Sequence, residues 1–200
     1  MSSPLWSYVT PGIPDHLFER LPGIPLTKRE IRLLLLSYLR LKADSVLWDI
    51  GAGTGTVAVE AALLCPQGKV IAIERDEDVA GLIRRNCDRF GVKNVDIIEG
   101  SAPGCLNTLS LDPDCAYVGG GRPIKAILQA VWERLRPQGR MVATATNLES
   151  LYAISEALSD LQVRNIEVVQ STVNRLEMRG THQVLAALDP TFVLSGEKLD

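Results

Sequence analysis

Between residues 46 and 161 the chain repeats one change of pattern five times: a short apolar or β-branched run gives way to a stretch with helical spacing. Strand candidates fall at 46–50, 69–74, 95–99, 115–119 and 139–145, and helix candidates at 56–64, 78–90, 102–109, 123–135 and 148–161. Strands joined by helices run parallel, because a parallel pair needs a crossover, and a parallel sheet must be covered on both faces. With 200 residues, 46% of them hydrophobic, the chain can bury one such core but not two.

The tail changes character. Segments 163–171 and 182–188 both read as strands with no helical spacing between them, and they suit an antiparallel pair that finishes the sheet. Residues 172–181 read as a charged connection carrying Asn174, Arg175, Glu177 and Arg179. The expected whole is an α/β three-layer sandwich around a mostly parallel seven-stranded sheet with an antiparallel C-terminal strand.

At the other end, Pro4, Pro11, Pro14, Pro22 and Pro25 punctuate the chain, with PGIP occurring twice. Proline fixes φ and removes a donor, so residues 1–26 read as an extended arm or lid with a short helix near 15–21. Residues 27–200 read as the single domain. Thr27 stands three residues before Glu30, the capping-box spacing, and opens a helix that runs to Leu41. As an N-cap, Thr27 would stabilise that helix by about 1 kcal/mol.

The first strand leads into Asp49-Ile50-Gly51-Ala52-Gly53-Thr54-Gly55. A dinucleotide fingerprint needs GxGxxG and a triphosphate loop needs GxxxxGK[ST], and neither is present in this loop. DxGxGxG after the first strand of such a sheet resembles the loop of class I S-adenosylmethionine-dependent methyltransferases, which are Rossmann-like. The small residues let the backbone pass close to a ligand, with a helix N-terminus just beyond, at the carboxyl ends of the strands. Glu74 ends the second strand, where an acid can accept both ribose hydroxyls. The third strand ends in Glu99-Gly100-Ser101-Ala102-Pro103, the turn that lines adenine in such enzymes. Each feature has a bland reading: a steric turn, a solvated acid, an alanine starting a helix. Their coincidence at three consecutive strand ends favours a ligand.

A narrower resemblance runs from PGIPDHLFERLPGIPLTKREIR (11–32) through VLWDIGAGTGTVAVEAAL (46–63), AIERD (72–76) and EGSAPG (99–104) to AYVGGG (116–121). These segments resemble the decarboxylating precorrin methyltransferases of corrin-ring (vitamin B12) synthesis, which methylate carbon 15 and remove the carboxylate of the ring C acetate. The resemblance implies S-adenosyl-L-methionine as cofactor, held by Thr27, Gly51, Ala52, Gly53, Thr54, Gly55, Glu74 and Ala102. It also implies a tetrapyrrole substrate and a homotetramer. It assigns no catalytic residue; His16, Asp15 and His182 are proton-donor candidates only because they titrate or lie near the arm. Where many relatives have Gly-Gly-Ser-Gly, this chain has Gly119-Gly120-Gly121-Arg122.

The net charge of −3 gives no global reason to expect nucleic acid or a membrane surface as partner. The start carries no secretory pattern, and the most apolar window, 31–41, is interrupted by Arg32 and Arg40, so a cytoplasmic chain without a membrane span is expected. Cys65, Cys87, Cys105 and Cys115 form no CxxC pair, and the two histidines lie far from them, so reduced thiols and no metal site are expected. Arginine outnumbers lysine 15 to 6. Because Arg binds carboxylates bidentately, Arg29, Arg122, Arg175 and Arg179 are candidates to hold the substrate's acid groups. Neither an [DNS]PP[YFW] box nor a Pro-Cys dipeptide occurs, which removes two nucleic-acid chemistries. The rivals are a methyltransferase of RNA or protein, betrayed by retention on tRNA, and a non-catalytic sensor of S-adenosylmethionine or an adenine nucleotide, betrayed by binding without turnover.

Overall fold

A computed structural model describes residues 5–199. After a 3-10 turn at Asp15–Leu17 the chain forms α1 (Arg29–Leu39), β1 (Val46–Ile50), α2 (Thr56–Leu64), β2 (Lys69–Glu74), α3 (Glu77–Phe90) and β3 (Val95–Glu99). There follow β4 (Cys115–Val118), α4 (Ile124–Arg134), β5 (Arg140–Ala145), α5 (Leu148–Asp160), β6 (Arg164–Ser171), β7 (Asn174–Arg179), β8 (His182–Ala187) and β9 (Thr191–Glu197). The main sheet has the order β3-β2-β1-β4-β5-β9-β6, and β9 runs antiparallel to both of its neighbours.

Side chains alternate across each strand, so β1 sends Leu47 to one face and Trp48 and Ile50 to the other. Leu47, Val70 and Ala72 pack with α1, α2 and α3, while Trp48, Ile71 and Ile73 pack with α4 and α5. Helix α2 is buried on nearly every side, from Thr56 to Ala62, which explains why its sequence is apolar all round.

Three expectations need correction. The segment 102–109 is not an α-helix but a 3-10 turn at Gly104–Thr108, because five residues opening on a glycine are too few to sustain an α-helix. The segment 182–188 does not finish the sheet: β8 pairs only with β7, across the two-residue turn Gly180–Thr181. The presumed connection 172–181 is itself largely strand, since Leu176 and Met178 lie on one face of the ribbon and Arg175, Glu177 and Arg179 on the other. The sheet is completed by β9, whose Val193 and Leu194 are buried.

The capping box also fails. The N-cap of α1 is Lys28, with no side-chain hydrogen bond, and Glu30 turns to Arg175 instead of reaching back.

Candidate functional site

The carboxyl ends of β1, β2, β4 and β5 open into a cavity of about 650 Å³, a size suited to a small organic ligand. Two glycine runs meet at its floor. A Cβ on Gly51 would crowd the Gly120 carbonyl oxygen at 3.2 Å, and the φ of +72° there also disfavours a side chain where the turn after β1 passes the turn after β4. On one flank, three backbone N–H groups orient Glu74: Gly53 donates at 3.0 Å, Arg75 at 2.9 Å and Asp76 at 3.2 Å.

The arm forms part of this wall through Ile24 and Pro25. Three clamps hold it there. The Thr54 hydroxyl donates to the Pro25 carbonyl at 2.9 Å. Asn86 of α3 accepts from the Glu19 N–H at 2.8 Å and donates to the Thr54 carbonyl at 2.9 Å, tying arm and glycine loop to one side chain. Glu60 of α2 accepts from the Gly12 and Ile13 N–H groups at 2.6 and 3.1 Å and from Arg32 at 2.8 Å.

Arg32 is fully buried, stacks 5.0 Å above Phe18, and also pairs with Asp15 at 2.8 Å. Burial alone would raise the Asp15 carboxyl, but hydrogen bonds and charge from Arg32 and Arg175 hold it below the usual carboxylate range. The quoted segments PGIPD and TKREIR thus meet through Asp15 and Arg32.

Asp49 is different. It is fully buried at the end of β1, beneath the glycine loop, and neither carboxylate oxygen has a hydrogen-bond partner among the described residues. Burial pushes its carboxyl up to about 7; the Ala58 N–H at the start of α2 opposes that, without a well-formed hydrogen bond, and the Glu74 charge adds to it. In the next strand, Tyr117 lies beside Asp49 and exchanges a 3.0 Å hydrogen bond with Thr144 of the cavity wall. Burial pushes that phenol up to about 12, eased by Thr144 and the Thr27 side chain and reinforced by Asp49.

Of the residues expected at the cofactor, Gly51, Gly53, Glu74 and Ala102 line the cavity. Thr27, Ala52, Thr54 and Gly55 stand behind it: Ala52 donates its N–H to Ile73, and Gly55 packs against Ile83, which a Cβ would approach to 2.8 Å. Asp49 was visible as a letter of the glycine motif, but its isolation depends on neighbours that only folding supplies. Of the candidates Arg29, Arg122, Arg175 and Arg179, Arg122 lines the cavity, as does Arg75. Arg175 does not wait for a ligand: it pairs with Asp15 at 2.9 Å and with Glu30. His16 and His182 are exposed. The four cysteines are free; burial pushes Cys65 up to about 11, and Cys87 and Cys115 up to about 12. Among the described residues no group of three or more His, Cys, Asp or Glu is arranged to hold a metal ion, and no helix is long and apolar enough to cross a membrane.

This sheet order with an antiparallel strand beside β5, and a glycine loop crossing from β1 to α2, define a methyltransferase of class I fold. The narrower assignment follows from likeness along the chain. Residues 20–195 match the model of the precorrin methyltransferase domain, and the chain belongs to that family. It is 41% identical to a probable cobalt-precorrin-6B C(15)-methyltransferase (decarboxylating) of Saccharolobus solfataricus, over 96% of this chain and 98% of that protein. A protein of the same description from Pyrobaculum calidifontis is 43% identical over 95% of this chain and 97% of its own length. The crystal structure of precorrin-6y C5,15-methyltransferase from Geobacter metallireducens superposes with a TM-score of 0.88 at 35% identity, covering 94% of this chain and 98% of that one.

Proposed function

We propose that this enzyme transfers a methyl group from S-adenosyl-L-methionine to carbon 15 of a cobalt-precorrin-6B tetrapyrrole and releases the ring C acetate carboxyl as carbon dioxide, in cobalamin biosynthesis in the cytoplasm. The observation that carries this is the end-to-end likeness to proteins so described, at 41 and 43% identity.

The residues present fit the cofactor. The unpartnered Asp49 carboxylate lies beneath the cavity lining, under Ile50 and Gly51, where an ammonium of the methionine part seated over the glycine loop would be the positive charge it lacks; Glu74, held by backbone donors at the cavity's flank, suits a ribose diol. Gly51 and Gly53 give close approach and Ala102 bounds the adenine. Behind them Thr54 and Gly55 hold the loop, Ala52 fixes it to β2, and Thr27 sits beside Tyr117. Of the expected arm 1–26, residues 1–4 lie outside the described residues; the part from 5 to 26 acts as a strap that closes one side of the pocket.

When bound, the cofactor supplies a methyl group on a positively charged sulfur. Displacement at that carbon asks the chain for alignment and exclusion of water, which a cavity walled by the arm and two glycine turns provides. Decarboxylation leaves an electron pair that the conjugated macrocycle absorbs, and a proton then completes the new methyl group.

We further propose that the chain works as a homotetramer joined through the β7–β8 ribbon. A two-stranded ribbon is marginal alone, and Leu176, Met178 and Leu185 on its outer face are 62, 63 and 72% exposed. Replacing both Leu176 and Leu185 with Glu should convert a tetramer to monomers in sedimentation; an unchanged tetramer would place the interface elsewhere.

The reaction is tested by mass spectrometry of precorrin-6B, with and without cobalt, after incubation with the enzyme and S-adenosylmethionine. The expected product has gained one methyl group and lost one carbon dioxide. An unchanged tetrapyrrole from enzyme that binds the cofactor would overturn the reading and direct attention to RNA and protein substrates.

A further inference from the structure

The cavity wall has two chemically different halves. At the end of β2 it carries Glu74, Arg75 and Asp76, where acids outnumber the cation. At the ends of β4 and β5 and along α4 and α5, the one ionisable side chain among the described lining residues is Arg122. Hydroxyls of Thr144, Thr146 and Ser150 stand on that side, and beyond them the wall is apolar. An anion is repelled by the first half and welcomed by the second.

Arg122 is also free to act. Arg175 and Arg32 are neutralised by acids of the chain, whereas Arg122 enters no ion pair among the described residues and remains exposed at the cavity. Its place is set by the turn before it. Gly121 has φ +120°, and a Cβ there would come within 2.7 Å of the Ile127 side chain, so the backbone lies flat on α4 and delivers residue 122 to the cavity wall.

Which carboxylate such a cation suits follows from the chemistry. Losing carbon dioxide moves negative charge away from the reacting carboxylate, so a cation gripping that group would stabilise the ground state more than the transition state. A carboxylate on an apolar wall is instead easier to lose. Ile124, Ile127 and Ile154 form such a wall in the same half.

Resting on the tetrapyrrole reading above, we infer that Arg122 is a substrate-positioning residue that holds a peripheral carboxylate the reaction leaves in place, so that the acetate to be lost is turned toward Ile124, Ile127 and Ile154. Arg122 thereby selects polycarboxylate substrates and sets their register.

The test compares the wild type with Arg122→Gln and Arg122→Lys in the whole enzyme. Arg122→Gln should raise KM for precorrin-6B, and its Kd by absorbance titration, about 10- to 100-fold, the loss expected for one charge-assisted hydrogen-bonded pair. The effect on kcat should be far smaller, Arg122→Lys should fall between, and affinity for S-adenosylhomocysteine should not change. With the substrate's peripheral carboxylates converted to amides, wild type and Arg122→Gln should bind alike. Normal wild-type turnover with an unaltered KM in Arg122→Gln overturns this inference alone, as does a loss confined to kcat. No turnover of any precorrin by the wild type overturns the underlying reading and this inference with it.

Discussion

Glu60 and Asp49 are carboxylates of nearly equal burial, 1% and 0% exposed, and the fold treats them in opposite ways. Glu60 receives two backbone N–H groups and the Arg32 guanidinium, so every strong acceptor site it offers toward the arm is used. Asp49 receives none. The first region is completed by the chain itself and fixes the arm against α2. The second has a buried group whose partner the chain does not provide, which costs stability and persists where it serves binding.

The largest effect should come from the completed region. Glu60→Gln leaves the buried Arg32 undercompensated, at a cost of roughly 3–5 kcal/mol, a fall in Tm on the order of 10 °C. An unchanged Tm would mean that Asp15 alone suffices for Arg32 and that the comparison is wrong on its paired side.

Asp49→Asn should have a smaller effect of the opposite sign. A carboxyl raised from 3.8 to about 7 in the folded state keeps a proton that the unfolded chain has lost, so stability falls as pH rises between these values and stays low above them. Asparagine does not ionise. The variant without ligand should therefore melt a few degrees higher than the wild type above pH 7, with the advantage shrinking toward pH 4. A wild-type-minus-variant difference independent of pH would show that Asp49 is not held against its ionisation.

Apart from 102–109, the alternation from 46 to 161 was readable because backbone periods of two and 3.6 impose themselves on any half-buried element. It failed at 172–181, where the ribbon buries neither face fully and its charges mask the period-two pattern around Leu176 and Met178. The Gly180–Thr181 turn was the missed signal, together with the apolar Phe192-Val193-Leu194 run that enters the sheet as β9. That Gly51, Gly53, Glu74 and Ala102 would line one cavity was legible because a glycine loop and strand ends are local. The Arg32–Glu60 clamp spans 28 residues, and the Arg175–Asp15 pair 160, so spacing alone could not reveal either. Nor could it separate Arg122 from Arg175, one facing a cavity and one already paired.

The most direct test is calorimetric titration of S-adenosylhomocysteine into the wild type and Asp49→Asn above pH 7. If a bound cofactor supplies the partner Asp49 lacks, the variant should bind about 10- to 100-fold more weakly while melting higher without ligand. Equal affinity in a folded variant would contradict that account and leave Asp49 a buried charge with no ligand to meet.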